Sequence, residues 1–233
     1  MPNNNDLEAI FSASGGISYD AVYSGKQYNL EADILKRLLN EHSRAPIRSL
    51  LDVACGTGAH MQYFANDTEL TGVDIAEEQI NLAQKRLPEA VFVCGDMRNF
   101  DIKKRSDAAI CMFSSIAYVY PYNEFATAIR NMARHLKPGG VLVVEPWVKA
   151  AQWDSSRPAT THTFPLPDER DGTITRRIEK SDEGNVSILD MHFLLKTKNG
   201  VQESREIHKM ALCDPEEYQR AYEAANLTMD YYE

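Results

Sequence analysis

Hydrophobic and polar positions follow two regimes along this chain, and the change falls near Pro146. In the first regime, residues 28–44 (YNLEADILKRLLNEHSR) set Leu30, Ile34, Leu35, Leu38 and Leu39 at helical spacing with charges opposite, which predicts an amphipathic helix. SLLDVACGTGAH then runs apolar into small residues and glycines, as a buried strand feeding a tight turn does. After it AHMQYFAND reads as helix, ELTGVDI as strand, EEQINLAQKRL as helix and AVFVCGD as strand. SDAAICMFSSI reads as strand, NEFATAIRNMARHL as helix and KPGGVLVVEPW as turn and strand. Strands separated by helical stretches imply βαβ units, hence an α/β fold with a doubly wound, mainly parallel Rossmann-like sheet.

In the second regime, residues 151–172 are rich in Pro, Thr, Asp and Ser and read as a long loop holding one short strand. GTITRRIEKS, NVSILDMHFLLKTK and GVQESREIHKMALC alternate with period two and are joined by DEGN and KNG turns, predicting an antiparallel meander inserted after the fifth strand. PEEYQRAYEAAN follows as a helix, with Asp214 as N-cap and Pro215 in its first turn. LTMDYYE reads as a further strand of the first sheet. The expected division is therefore residues 1–147 and 211–233 as one domain, with 148–210 as an insert over its mouth. Such a layout ends one strand later, so a C-terminal truncation is expected.

At 233 residues and 43% hydrophobic, the chain can bury a core without disulfides or structural metal. A net charge of -9 speaks against nucleic acid as a partner, because phosphate-driven affinity needs a basic surface. No apolar run approaches the ~20 residues of a spanning helix. The opening MPNNNDLEAIFSASGG lacks the basic and apolar regions of a secretory signal, so a cytoplasmic protein with no membrane partner is expected. Cys55, Cys94, Cys111 and Cys213 are widely spaced without a CxxC, which fits reduced thiols and no metal site.

DVACGTGAH places Gly56 and Gly58 in the turn after the first strand, where the lack of a Cβ lets backbone approach a ligand. Asp74 closes the next strand, where its carboxylate can accept hydrogen bonds from both hydroxyls of a ribose. Met61 stands where a dinucleotide fingerprint has its third glycine, and no lysine follows to make a phosphate loop. The combination favours a nucleoside without pyrophosphate, which opposes a nicotinamide-dependent dehydrogenase.

The ordered set LLDVACGTGAH, GVDI, CGDMRNF and LKPGGVLVVEPW resembles the motifs of class I S-adenosylmethionine-dependent methyltransferases over residues 28–147. More narrowly, YDAVYSGKQY, CMFSSIAYV, LVVEPW and the positions of Arg176, His192 and His208 resemble bacterial N,N-dimethyltransferases of dTDP-linked 3-amino-deoxyhexoses. The resemblance implies S-adenosyl-L-methionine as cofactor. It implies that Ala54, Gly56 and Gly58 meet the methionine part, that Asp74 holds the ribose and that Ile75 packs on the adenine. Asp96 and Met97 would meet the adenine edge, Met112 would lie near the sulfonium, and Tyr19 and Tyr28 would cover the methionine moiety. Taken singly, Met97 and Met112 also suit core packing, and Asp96 a cap.

The expected acceptor is the amino group of a small molecule, foremost a nucleotide-linked amino sugar; another small amine, carboxylate or hydroxyl is the alternative. The resemblance implies that the position of Tyr118 often holds His or Tyr, and here it is Tyr. A phenol with a pKa of about 10 is a poor base, so Tyr118 is expected to orient the amine, or else to pack. Glu145 and Trp147 end the fifth strand, where a carboxylate would attract an amino group and an indole would face a sugar or base. Arg176, Arg177, His192 and His208 would meet a diphosphate. Sheet-edge pairing would give a homodimer. A cofactor-binding module without catalysis is the remaining reading.

Overall fold

The computed structural model describes residues 22–23, 25–166 and 171–232. Tyr19 lies outside them. The N-terminal half forms helix α1 (Tyr28–His42), strand β1 (Ser49–Val53), β2 (Glu69–Asp74), α2 (Glu77–Arg86), β3 (Val91–Cys94), β4 (Ser106–Cys111), α3 (Tyr122–Arg134) and β5 (Leu136–Val144). All its described ladders are parallel, in the order β3-β2-β1-β4-β5. The order reverses between β1 and β4, which opens the crevice where such sheets hold ligands.

Alternation along the central strands supplies both faces. Leu51, Val53, Ala109 and Cys111 join α3 and the C-terminal helix through Phe125, Ile129, Met132, Tyr218 and Tyr222. Leu50, Ala108 and Ile110 turn to the other side, where Ala32, Leu35 and Leu39 of α1 and Ile80 of α2 close the layer. The α1 stripe is narrower than its apolar positions suggest, since Leu30 and Ile34 are about half exposed. They lie beside the buried row, and Ile34 borders a groove along β5.

The second sheet is antiparallel, ordered β6 (Thr160–Pro165), β7 (Gly172–Glu183), β8 (Val186–Thr197) and β9 (Gly200–Ala211). Its pairing register puts Ile174, Arg176 and Ile178 of β7 opposite Leu195, Phe193 and Met191 of β8, and Met191 and Leu189 opposite Glu206 and His208 of β9. These residues share one face. One end of that face packs on Val22 and Tyr23, and the other on Ala117 and Tyr118 with Trp147 and Trp153. Helix α4 (Pro215–Ala224) follows, its N-terminus closed by a capping box of Asp214 and Glu217 with Pro215 inside the first turn.

Two expected elements differ. The AHMQYFAND segment gives only a 3-10 turn, Met61–Phe64, not a helix. LTMDYYE forms no strand over its described residues. Asn226 adopts a left-handed φ of 58° and Leu227 N donates to Tyr222 O, which reverses the chain after α4. Leu227 and Met229 then pack on the core as side chains without joining a ladder.

Candidate functional site

A cleft opens at the carboxyl ends of β1, β2 and β3 and is lined by Ala54, Gly56, Asp74, Ile75, Gln79, Asp96, Met97, Arg98 and Tyr118, among others. Its floor is built by backbone geometry. Ala54 and Gly56 have φ of 59° and 53°, the left-handed region that a side chain opposes, and a Cβ on Gly56 would meet nothing within 4 Å. The turn is therefore open on the side where a ligand approaches. Gly58 serves differently, because its Cβ position faces Leu87 and Ala83 of α2 at 3.4 and 3.5 Å. It permits close helix packing and is not part of the cleft lining.

Asp74 is 8% exposed, and its two carboxylate oxygens accept from Gly56 N at 2.8 Å and Ala76 N at 2.9 Å. Each oxygen keeps a further lone pair for a hydroxyl donor. Burial raises its carboxyl from the ordinary value despite those donors. Asp52, fully buried at the end of β1, is pushed up further by burial and by the neighbouring Asp74 charge. Two adjoining buried carboxylates of raised pKa favour a ligand that carries positive charge. Asp52 was missed in the sequence, although an acid inside SLLDV is itself a signal.

Asp96 lies in the wall with both oxygens held by Arg98, whose Nε stands 3.0 Å from each. Oδ1 also accepts from Arg98 N at 2.8 Å, so the capping role and the cleft-lining role coexist. Arg98, unmarked in the sequence reading, reaches Glu124 as well, at 3.3 Å. Met97 and Ile75 supply apolar lining. Met112 faces elsewhere, packing with the α1 layer and bordering the β5 groove.

Tyr118 ends a 3-10 turn, Ser115–Tyr118, that follows two left-handed residues, Phe113 and Ser114, each at φ 56°. Strain of this kind at a strand end lets a short loop aim side chains into a site. Glu145 does not reach the cleft; its Oε2 accepts from Phe113 N at 2.7 Å and so fixes this strained loop. Trp147 also serves as an anchor, donating from Nε1 to Ser187 Oγ at 3.0 Å, while Ser187 donates to Met210 O at 2.9 Å.

The Tyr118 hydroxyl meets His208 Nδ1 at 2.5 Å, and His208 Nε2 stands 3.0 Å from Glu206 Oε2. Arg176 Nη1 donates to the hydroxyl of Tyr23 at 3.1 Å, and the Tyr23 ring packs edge-on against Phe113. Arg176 and His208 thus share the inner face. His192 and Arg177 do not: they lie across from one another on the outer face, His192 beside Asp190 at 3.3 Å and Arg177 against Glu179. Strand alternation separates them, so the four expected diphosphate contacts are two and two. Tyr23 and Glu206 join the inner cluster unannounced. Tyr28, in contrast, packs edge-on with His60 outside the cleft lining, and Lys26 lies over both Tyr28 and Phe113.

Known proteins are similar to this chain in sequence and fold. A family model described as a methyltransferase domain matches residues 50–140. A dTDP-3-amino-3,4,6-trideoxy-alpha-D-glucopyranose N,N-dimethyltransferase of Streptomyces venezuelae is 37% identical over 92% of this chain and 90% of its own. The crystal structure of Streptomyces venezuelae DesVI superposes with a TM-score of 0.85 at 33% identity, covering 92% of this chain and 91% of that one. SAM-bound CalS10, an amino pentose methyltransferase from Micromonospora echinaspora, gives 0.78 at 31% identity over 89% and 87%. These alignments run through the antiparallel sheet as well as the parallel one. Among the described residues, no helix is long and apolar enough to cross a membrane.

Proposed function

As the chain belongs to the S-adenosylmethionine-dependent methyltransferases, in the branch of the dTDP-aminodeoxysugar N,N-dimethyltransferases, we propose that its acceptor is the amino group of a nucleotide-linked 3-amino-deoxysugar. The observation that carries this reading is the contact between Tyr118, in the wall of the cofactor cleft, and His208 of the antiparallel sheet. Cofactor cleft and second sheet meet at a polar group, where an acceptor nitrogen belongs.

The cleft fits S-adenosyl-L-methionine on its own terms. Gly56 leaves an open cradle, Asp74 offers two acceptors to a ribose, and the buried Asp52 and Asp74 pair gains from a cationic ligand. Met97 and Ile75 would flank the base, with Asp96 and Arg98 at its polar edge. When bound, the cofactor supplies an electrophilic methyl group on sulfur.

The chain's own task is alignment and proton control. Holding a nucleophile in line is worth on the order of 7 to 11 kcal/mol in favourable intramolecular cases. Burial pushes the Tyr118 phenol well above its ordinary value, so it stays protonated, accepts a hydrogen bond from an amine and cannot act as a base alone. Arg176, half-buried on the inner face with its Tyr23 partner, suits an anionic group on the same substrate. Residues 148–210 would act as an insert that closes the mouth over a small acceptor. Within this proposal the enzyme works in the cytoplasm without nucleic acid, and edge strand β9 offers a pairing surface for a homodimer.

Calorimetric titration with S-adenosylhomocysteine, then with a dTDP-3-amino sugar, tests the proposal. Binding of the second ligand that is lost in its 3-hydroxy analogue, with a methylated product by mass, is the expected outcome. Binding of the first ligand alone would discard the amino sugar.

A further inference from the structure

We propose that His208 and Glu206 complete a proton-accepting chain that operates through Tyr118, a role that rests on the amine acceptor proposed above. Two strand positions apart on β9, both residues point to the inner face, and each is only 6% exposed. The chain Tyr118 Oη, His208 Nδ1, His208 Nε2, Glu206 Oε2 is continuous, with heavy-atom separations of 2.5 and 3.0 Å.

The geometry fixes the direction of the protons. A carboxylate only accepts, so the ring proton of neutral His208 sits on Nε2 and faces Glu206. Nδ1 then offers a lone pair, and the Tyr118 hydroxyl donates to it. A phenolic oxygen accepts as well as donates, and Tyr118 is one of the residues that line the cleft. An amino group arriving as ammonium can pass a proton to this oxygen while the phenolic proton moves to Nδ1. One N–H and one O–H bond break; one O–H and one N–H bond form. The nitrogen is left with the lone pair that attacks the methyl carbon, and the imidazolium is paired with Glu206. Reversal toward the cleft after product release returns the proton to solvent.

Three features favour this role over simple packing. An imidazole nitrogen that carries no proton presents a basic lone pair, which a phenol holding its own proton lacks. Glu206 Oε1 is buried without a hydrogen-bond partner among the described residues, spare acceptor capacity that a purely structural pair would satisfy. Among the described residues, Tyr118 of the turn and Glu206 of β9 both contact the imidazole directly, the carboxylate being the charged one, and Arg176 with its Tyr23 partner lies on the same face of the sheet. Since His208 and Glu206 act through Tyr118, they are positioning residues.

The test compares full-length wild type with His208→Gln and the near-isosteric Glu206→Gln in kcat against pH, with S-adenosylhomocysteine affinity and Tm as controls. In His208→Gln, kcat at pH 7 is expected to fall about 100-fold and to recover about tenfold per pH unit toward the acceptor's own pKa, with KM and cofactor affinity within about twofold. Glu206→Gln is expected to lose about tenfold with an unchanged Tm. A His208→Gln profile that superimposes on wild type overturns the chain. The 15N spectrum of the His208 ring, read without acceptor, separates the two proposals: it is expected to show the Nε2–H tautomer with an Nδ1 signal that moves in Tyr118→Phe. An Nδ1–H tautomer overturns the chain even if no variant folds well. Wild type that shows the expected spectrum yet methylates no amino sugar refutes the acceptor and leaves the chain in place.

Discussion

Asp74 Oδ2 accepts a hydrogen bond from Gly56 N at 2.8 Å, so the last residue of β2 holds the glycine turn that follows β1. The same carboxylate binds Ala76 N through its other oxygen and thereby shapes the entry to α2. One side chain prepares the turn and remains available to a ligand. Asp74→Ala is expected to weaken S-adenosylhomocysteine binding by ~2 to 3 kcal/mol, two hydroxyl contacts at about 1 to 1.5 each. Calorimetry decides it, and unchanged affinity would remove the ribose assignment.

Tyr118→Phe keeps the ring and deletes the hydroxyl that joins the cleft to His208. Turnover is expected to fall by roughly 10 to 100-fold, with cofactor affinity retained. Steady-state kinetics beside a cofactor titration would show it. Wild-type kcat would reduce Tyr118 to packing.

Close approach inside the parallel sheet gives a stability prediction away from the site. A Cβ on Gly72 of β2 would lie 2.7 Å from the Phe92 ring and 2.8 Å from Cys55 Sγ. Gly72→Ala is expected to destabilise by about 1 to 3 kcal/mol, the ordinary cost of overpacking, and to lower Tm by about 2 to 4 °C per kcal/mol. An unchanged melting curve would mean the neighbours relax freely.

Acid sensitivity follows from Asp107. Partial burial would raise its carboxyl, but hydrogen bonds from Lys137, Ser49 and the Arg48 backbone outweigh it and hold the pKa at about 2. A depressed folded-state pKa contributes stability above the unfolded value, and that contribution disappears as pH falls from about 4 toward 2. Asp107→Asn is expected to lose on the order of 1 kcal/mol at pH 7, after solvent screening, and to show a flatter stability curve across that acid window. Urea titrations at stepped pH measure both.

Much of this architecture is local chemistry that sequence displays directly. SLLDV is buried at every position because a parallel strand has helices on both faces, and that burial writes itself as an unbroken apolar run. Asp214, Pro215 and Glu217 announce the start of α4, and the capping box forms as their spacing requires. Gly56 and Asp74, expected from the glycine turn and the strand end, and Ala54, Ile75, Asp96, Met97 and Tyr118, expected from the family resemblance, all line the same cleft.

What the sequence by itself determined, then, is the parallel sheet, the glycine turn at its edge and the meander, carried by periodicity and short-range spacing, with the methyltransferase motifs carried by resemblance to a known family. Tertiary structure alone decided which face of the meander looks inward. Period two says that Arg176 and Arg177 oppose each other, but only packing against Tyr118, Val22 and Trp147 turns Arg176, Glu206 and His208 toward the site and leaves His192 outside. The same holds for Tyr23 against Tyr28, and for LTMDYY, whose apolar residues pack without a ladder. Contacts between residues 90 apart, such as Tyr118 with His208, depend on how two sheets dock, and no local pattern encodes that.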